Sequence, residues 1–498
     1  MTAGMLFAVA CSPDSEPSNG TDSIQRVLDG TVTPRNDIDN FGDAETSPTV
    51  NDAVDISESI DTEPPPGPDT MATDTLVPTD IVTSDTETVV PTDTNETTDT
   101  SQTGMETVSD VSDSDGGNTD IPILPKPTFD PNAFAEDVVS FPLSVMAADV
   151  TADGAILWAR YDGNEPLRLI IYDLENLEIA LDIAVDTSTS FLKTEVVGLL
   201  PWHNYGYAFV HSPDAGEGSF RSVTGRFRTA PDADSMPAVV FGATSCIKVG
   251  LYEPKSLARA AEDTLDFFIM AGDTVYADGA ETLWEYESMW AETYAVDHLM
   301  SLHPSTSFIH TWDDHEVENN WNPESIAPLQ LVAAKEAYFN HAPQRENPSA
   351  PEQLWRSFVF GRTMEIFVLD SRGERKPSTK DTAGAQYLSP EQMDWLKAGL
   401  LSSQAVFKVI VNSVAFTNMP FFYISEEDRW EGYASQREEL FDTLDEVDGV
   451  LFVAGDFHFG AIMKIEPPEH PLGHIPEILA GPAAQFPNPA NVLLQSIF

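Results

Sequence analysis

The sequence predicts an α/β protein: a layered sheet domain flanked by helices, preceded by a small all-β sandwich and, before that, an acidic stretch without a core. Three observations lead there. The composition turns from polar to globular near residue 138; short alternating apolar segments separated by turn residues follow as far as 232; from 236 unbroken apolar runs alternate with helical patterns. Layered helix-covered sheets are the ordinary outcome of that last alternation.

At the N-terminus, Met5-Leu6-Phe7-Ala8-Val9-Ala10 precedes Cys11, one of only two cysteines in 498 residues. This resembles the end of a bacterial lipoprotein signal, in which small residues stand before a cysteine that becomes lipidated. The match is partial: Ala8 occupies the position where Leu is commonest, and no Lys or Arg precedes the run, as a start codon placed too far downstream would explain. Residues 1–10 are therefore read as a partial lipoprotein-type signal. The location that follows is extracytoplasmic, in a bacterial cell envelope or secreted, with membrane contact only through a lipid on Cys11. No later stretch reaches the roughly 18 apolar residues of a membrane-spanning helix.

Residues 11–137 are crowded with Thr, Ser, Asp and Pro, as in Thr73-Asp74-Thr75 and Pro91-Thr92-Asp93-Thr94. Such a segment buries too little apolar surface to offset its ordering entropy, so it is expected to be a disordered stalk. It carries about a third of the carboxylates behind the net charge of −57. That charge excludes nucleic acid as a partner, because a phosphate backbone needs a basic footprint.

Residues 138–232 read as a β-sandwich, starting with Phe141 to Met146 and continuing through 155–160, 167–172 and 205–210. The segment Gly198 to Tyr205 resembles the turn before a late strand of fibronectin type III domains. From 236 to 498, apolar runs at 239–243, 267–271, 308–312, 364–369, 407–412 and 450–454 are expected as buried strands. Ser389 with Pro390 marks a helix start, and a second helix is expected over Gln436 to Leu444.

Nearly every one of those strands ends in reactive residue types: Ser245-Cys246, Gly272-Asp273-Thr274-Val275-Tyr276, Asp313-Asp314-His315-Glu316, Asp370-Ser371-Arg372 and Gly455-Asp456-Phe457-His458. Chemistry in layered α/β folds gathers just beyond strand ends. An Asp after a Gly at such an end exposes both oxygens to a cation. Two such sites, one followed by a His, point to a metal centre, and metal centres suit phosphate chemistry because cations neutralise phosphoryl oxygens and acidify water.

Taken in order, Thr244-Ser245-Cys246, Gly272 to Tyr276, Trp312-Asp313-Asp314-His315-Glu316-Val317 with Asn319-Asn320, Leu369 to Arg372 and Gly455 to His458 resemble the PhoD-like alkaline phosphatases and phosphodiesterases. The resemblance covers about 140 to 490. It implies a layered metallophosphoesterase-like β-sandwich flanked by helices behind a fibronectin III-like module. It also implies Fe(III) held by Cys246, Tyr276 and His458, with Asp273 and Asp456 bridging toward calcium and Asn319 as a further calcium ligand. A dinuclear zinc or manganese centre is not implied, because Ser245-Cys246 replaces the usual Asp-x-His and Val411-Asn412-Ser413 stands where a His is usual. Anionic thiolate and phenolate suit trivalent iron, and hard oxygens suit calcium.

In the implied reaction a hydroxide or oxide on the metals attacks a phosphate monoester or diester. His315 is expected to assist the leaving group, Asp314 to orient its imidazole, Asp313 to ligate metal or serve structure, and Arg372 to clamp the phosphoryl group through its planar fork. The expected substrates are small phosphate esters, phospholipids or teichoic-type polymers, and the expected state is a monomer. The chain stops at Phe498, soon after Gly481-Pro482, where relatives continue, so either the last sheet elements are missing or the member is compact.

Overall fold

The computed structural model describes residues 7–11, 125–211, 219–250, 252–419 and 426–486. The first six residues of the signal-like run and residues 12–124 of the expected stalk fall outside the described residues. The last part of that stretch, 125–137, is described and holds a short 3-10 turn at Pro131–Ala133 with Phe129 and Phe134 buried, so the disorder expected as far as 137 does not extend over it. Twenty strands are described. β1 to β10 are Phe7–Cys11, Ala135–Glu136, Val145–Ala148, Gly154–Arg160, Leu167–Asp173, Ile179–Ala184, Phe191–Val197, Asn204–His211, Phe220–Arg221 and Gly225–Arg228. β11 to β20 are Val239–Ile247, Phe267–Ala271, Ser307–Thr311, Arg356–Phe360, Met364–Val368, Phe407–Val411, Val450–Ala454, Ala461–Lys464, Pro476–Leu479 and Pro482–Ala484.

Two sheets carry the later half. One runs β1-β11-β12-β13-β3-β4-β7, with β20 also paired to β11; the other runs β14-β15-β16-β17-β19-β18. β11, β12 and β13 pair in parallel, as do β15, β16, β17 and β19. Their sequences explain this: β12 (FFIMA), β13 (SFIHT), β16 (FKVIV) and β17 (VLFVA) are buried at every position, as strands covered on both faces must be.

One core lies between the sheets, joining Phe241, Ile269 and Ala271 to Ile366, Val409 and Val453. A second packs the outer face of the first sheet against helices Lys255–Glu262, Leu283–Tyr294, Asp297–Leu302 and Pro328–His341. A third packs the second sheet under Pro390–Ser402 and Ala434–Leu444. Ser389 caps the first of these two helices, accepting from Gln392 N–H with Pro390 at the first turn, as its sequence predicts.

The earlier module differs from its expectation in two ways. Its first strand is Val145–Ala148 rather than a run from Phe141, because Pro142 and a positive φ of 66° at Ser144 keep the preceding residues out of the ladder. More important, the module is not set apart at 232. β3 pairs in parallel with β13 at Ser307 and Phe308, so β3, β4 and β7 continue the first sheet, while β5, β6, β8, β9, β10 and β2 form the facing one. Phe209, Tyr207 and Leu169 consequently belong to the same continuous core as Phe241 and Ile269.

The helix-side core contains three histidines, His303, His310 and His341, each at most 1% exposed. Both ring nitrogens of His303 and His310, and Nε2 of His341, lack a hydrogen-bond partner among the described residues. Burial lowers the pKa of His303 and of His341 to about 3. These groups are neutral when folded and take a proton only on unfolding, so their contribution is intact above their ordinary value of 6.5 and is lost as pH falls below it. Replacing His303 by Phe should flatten the acid limb of stability by up to about 1.4 kcal/mol per pH unit between about pH 4 and 6. Thermal midpoints measured across that range check this.

Candidate metal centre

The strand ends singled out by sequence meet at one place. Cys246 closes β11, Asp273 follows β12, Asp313 to Glu316 follow β13, Ser413 follows β16, and Asp456 and His458 follow β17. Parallel strands bring their C-terminal ends to one edge of each sheet, and here the two edges face each other.

Close approach dictates the two glycines. A Cβ at Gly272, whose φ is +92°, would stand 2.6 Å from Asp313 Cβ; one at Gly455 would stand 2.6 Å from the Ala271 carbonyl oxygen. The residues beside them are held in the left-handed region: φ is 57° at Cys246, 54° at Asp273, 66° at Asp456 and 54° at His458. Backbone of this kind costs of order 1–3 kcal/mol per residue and persists only where packing enforces it, usually at functional sites.

Three sets of ligand atoms lie within 4.8 Å of one another: Cys246, Asp273 and His458; Asp273, Asp314 and His315; and Asp273, Asp313, Asp314 and Asp456. Asp273 is common to all. Its Oδ2 lies 3.4 Å from Cys246 Sγ and accepts from the Tyr276 hydroxyl at 3.3 Å, while that hydroxyl is 3.2 Å from His458 Nε2. Sequence reasoning singled out every one of these residues.

Burial without compensating charge shows in their proton affinities. Burial, reinforced by Asp313, pushes the Asp456 carboxyl up to about 8. Burial together with neighbouring carboxylates raises Asp273 well above the usual range. Burial also raises Cys246 and Tyr276, and lowers His458 to about 4. Asp314 goes the other way: burial is outweighed by Arg372 and His315, which bring it to about 2. Yet its Oδ1 has no hydrogen-bond partner among the described residues. A buried, ionised carboxylate oxygen with no hydrogen bond, and only Arg372 Nη2 at 3.8 Å, beside further carboxylates, a thiol, a phenol and an imidazole is a donor set that cations fit.

Two expected roles are corrected. Arg372 is 1% exposed, and its guanidinium is held by both oxygens of Asp313, with Nε at 2.5 Å, and by Asp428 at 2.9 Å. It is an internal counter-charge with no fork turned to substrate. Asp428 also holds Arg375 at 2.7 Å. Nor does Asp314 orient His315. That imidazole binds Asp278 through Nδ1 at 2.7 Å, and its ring lies 4.0 Å from the Tyr276 ring. Asp313 accepts from Arg372 and from Ser413 Oγ at 2.8 Å, which leaves it chiefly tied to protein groups. Asn319 is exposed, and its backbone N–H donates to Asp278 at 2.8 Å.

Glu316, present in the motif but given no role, is fully buried and accepts three backbone N–H groups: Asp273 at 3.1 Å, Thr274 at 2.6 Å and Asp313 at 2.9 Å. Burial raises it to about 7. Asp278, also missed, stands before Gly279 in the same loop as Asp273 and Tyr276, and an acid placed there was the available signal.

Fold and site together define an α/β protein built around a candidate cation centre where two sheets converge. Residues 241–493 match the model of the PhoD-like phosphatases, and the chain belongs to that family. Alkaline phosphatase D of Bacillus subtilis (strain 168) is 27% identical over 381 residues, covering 64% of this chain and 64% of that protein's length. A solved structure of PhoD matches with a TM-score of 0.61 at 22% identity, covering 70% of this chain and 79% of that one.

Two outcomes are expected. Glu316→Ala strands three buried donors and should lower stability by ~3 kcal/mol or more, seen as a depressed thermal midpoint. Asp456 and Glu316 have folded pKa values above their unfolded ones, so in chelated protein their contribution is present at low pH and fades as pH rises toward about 8. Added cations should therefore raise the thermal midpoint more at about pH 9 than at about pH 5.

Proposed function

We propose that the chain is a metal-dependent phosphoesterase acting outside the cytoplasm on phosphate monoesters or diesters. The observation that carries this is the convergence of Asp273, Asp314, Asp456, Cys246 and His458 where the strand ends of two sheets meet, with a buried carboxylate oxygen that makes no hydrogen bond among them. Membership of the family, and likeness over part of its length to a protein named alkaline phosphatase D, support the same reaction class.

Cys246, Tyr276 and His458 would hold iron, and Asp273, Asp456 and Asn319 would hold calcium. When bound, these cations supply charge for the phosphoryl oxygens and acidify a water. The chain's own residues do the remainder. Asp278 fixes the tautomer and direction of His315, leaving Nε2 to face the reacting group. Burial lowers the imidazole's proton affinity, but the hydrogen bond to Asp278 together with the charges of Asp314, Asp278 and Asp313 outweighs it and raises that affinity, as proton donation to a leaving alkoxide requires. Arg372 holds Asp313 and lowers Asp314, keeping that carboxylate ionised for a cation.

His315→Gln should lower kcat by roughly a hundredfold with metal content retained, and Asp278→Asn by a smaller factor in the same direction. The decisive test measures hydrolysis of aryl phosphate esters with metal analysis and a visible spectrum. Iron on Tyr276 gives a phenolate charge-transfer band that Tyr276→Phe abolishes. Full activity in colourless, iron-free protein would overturn the iron assignment, and no hydrolysis by metal-replete protein would overturn the reaction.

A further inference from the structure

With Arg372 withdrawn into the core, the cluster needs another protein cation to meet an anionic substrate. Among the described residues Arg372 and Arg375 are both 1% exposed and spent on Asp313 and Asp428. Lys248 is different. It stands two residues beyond Cys246 and is exposed. Its backbone is pinned by an N–H donated to the Ala484 carbonyl at 2.9 Å.

The ammonium lies 5.0 Å from the centroid of the Tyr276 ring. The hydroxyl of that ring contacts Asp273 and His458, and the Lys248 charge acts on His458. No carboxylate of the described residues lies within ion-pair distance of it. In a chain of net charge −57 with 82 acidic residues against 25 basic ones, an unpaired ammonium beside a carboxylate cluster stands out. A cation held against an aromatic face keeps most of its charge available, and the lysine stem lets it move several ångströms toward an anion.

We propose that Lys248 contacts the phosphoryl oxygens of the substrate and favours dianionic phosphate monoesters over monoanionic diesters. This rests on the phosphoesterase reading. A monoester offers one more anionic oxygen, and with Asp273, Asp313, Asp314 and Asp456 lining the site that extra charge needs a positive partner besides any bound cations. Lys248 thus takes the place that sequence assigned to Arg372, but as a mobile point charge at the entrance.

The test uses the full chain with its bound metals, checked by elemental analysis, and two esters sharing one leaving group: phenyl phosphate and methyl phenyl phosphate. Lys248→Met keeps an apolar stem against Tyr276 and removes the charge; Lys248→Arg keeps the charge. Lys248→Met is expected to lower kcat/KM for the monoester by roughly ten- to a hundredfold, the range for a lost charge-assisted contact, and for the diester by clearly less. Lys248→Arg should recover most of the loss, and inorganic phosphate should bind Lys248→Met more weakly. An unchanged monoester-to-diester ratio in Lys248→Met overturns the proposal, as does an arginine variant no better than methionine. If wild-type protein hydrolyses neither ester, phosphate binding separates the two claims. Weaker binding to Lys248→Met keeps the anion contact while the phosphoesterase reading falls, and equal binding removes the Lys248 contact.

Discussion

Three backbone N–H groups, on Asp273, Thr274 and Asp313, point at the single carboxylate of Glu316, and most of the centre depends on that convergence. The loops after β12 and β13 carry Asp273, Tyr276, Asp278, Asp314 and His315, yet neither loop is regular structure that could hold its own shape. Satisfying three buried donors with one acceptor fixes both loops against each other. It also lets Asp273 and Cys246 be kept in left-handed backbone. A buried group left with unmet donors costs about 1–3 kcal/mol for each, so the arrangement has little freedom to relax.

Around this clamp the charges are layered. Arg372, Arg375, Asp313 and Asp428 form one network inside, every member at most 8% exposed on its side chain. Beside it, Asp314 is ionised with one oxygen free of hydrogen bonds, while Asp273 and Asp456 favour their protons. The larger of the two positive charges that keep Asp314 ionised, that of Arg372, is thus internal and permanent. The charge that would ionise its neighbours has to arrive with a ligand. Buried ion pairs contribute little net stability on their own, so the value of this network lies in where it holds Asp313 and Asp314.

Much of this was legible in the sequence. Unbroken apolar runs gave β12 and β17 to the residue, because strands buried on both faces leave no polar alternation to blur their limits. Strand-end chemistry singled out Asp273, Asp456 and His458, and resemblance to the family's motifs added Cys246 and Tyr276. What failed was the division of labour among charged residues. Arg372 and a substrate-binding arginine look alike in sequence, since whether a guanidinium faces solvent or Asp313 depends on packing between β13 and β15. Asp278 and Glu316 were passed over for the same reason: a carboxylate that binds backbone or orients a ring has no spacing of its own. Composition marks a change near 232, whereas the pairing of β3 with β13 across it is long-range and leaves no local trace.

The continuity of the first sheet bears on how the chain can be shortened. Phe129 and Phe134 pack on Tyr172 and Ile170 ahead of the first long strand, and Phe129 N–H donates to the Leu177 carbonyl. A fragment starting at 138, where composition turns globular, would strip two aromatic rings from that cluster. One starting at 236 would leave β13 as a bare sheet edge, open to pairing with another molecule. A chain that keeps the sandwich's own packing therefore begins just before Pro127, and the sandwich is better regarded as the flank of the first sheet than as a detachable accessory.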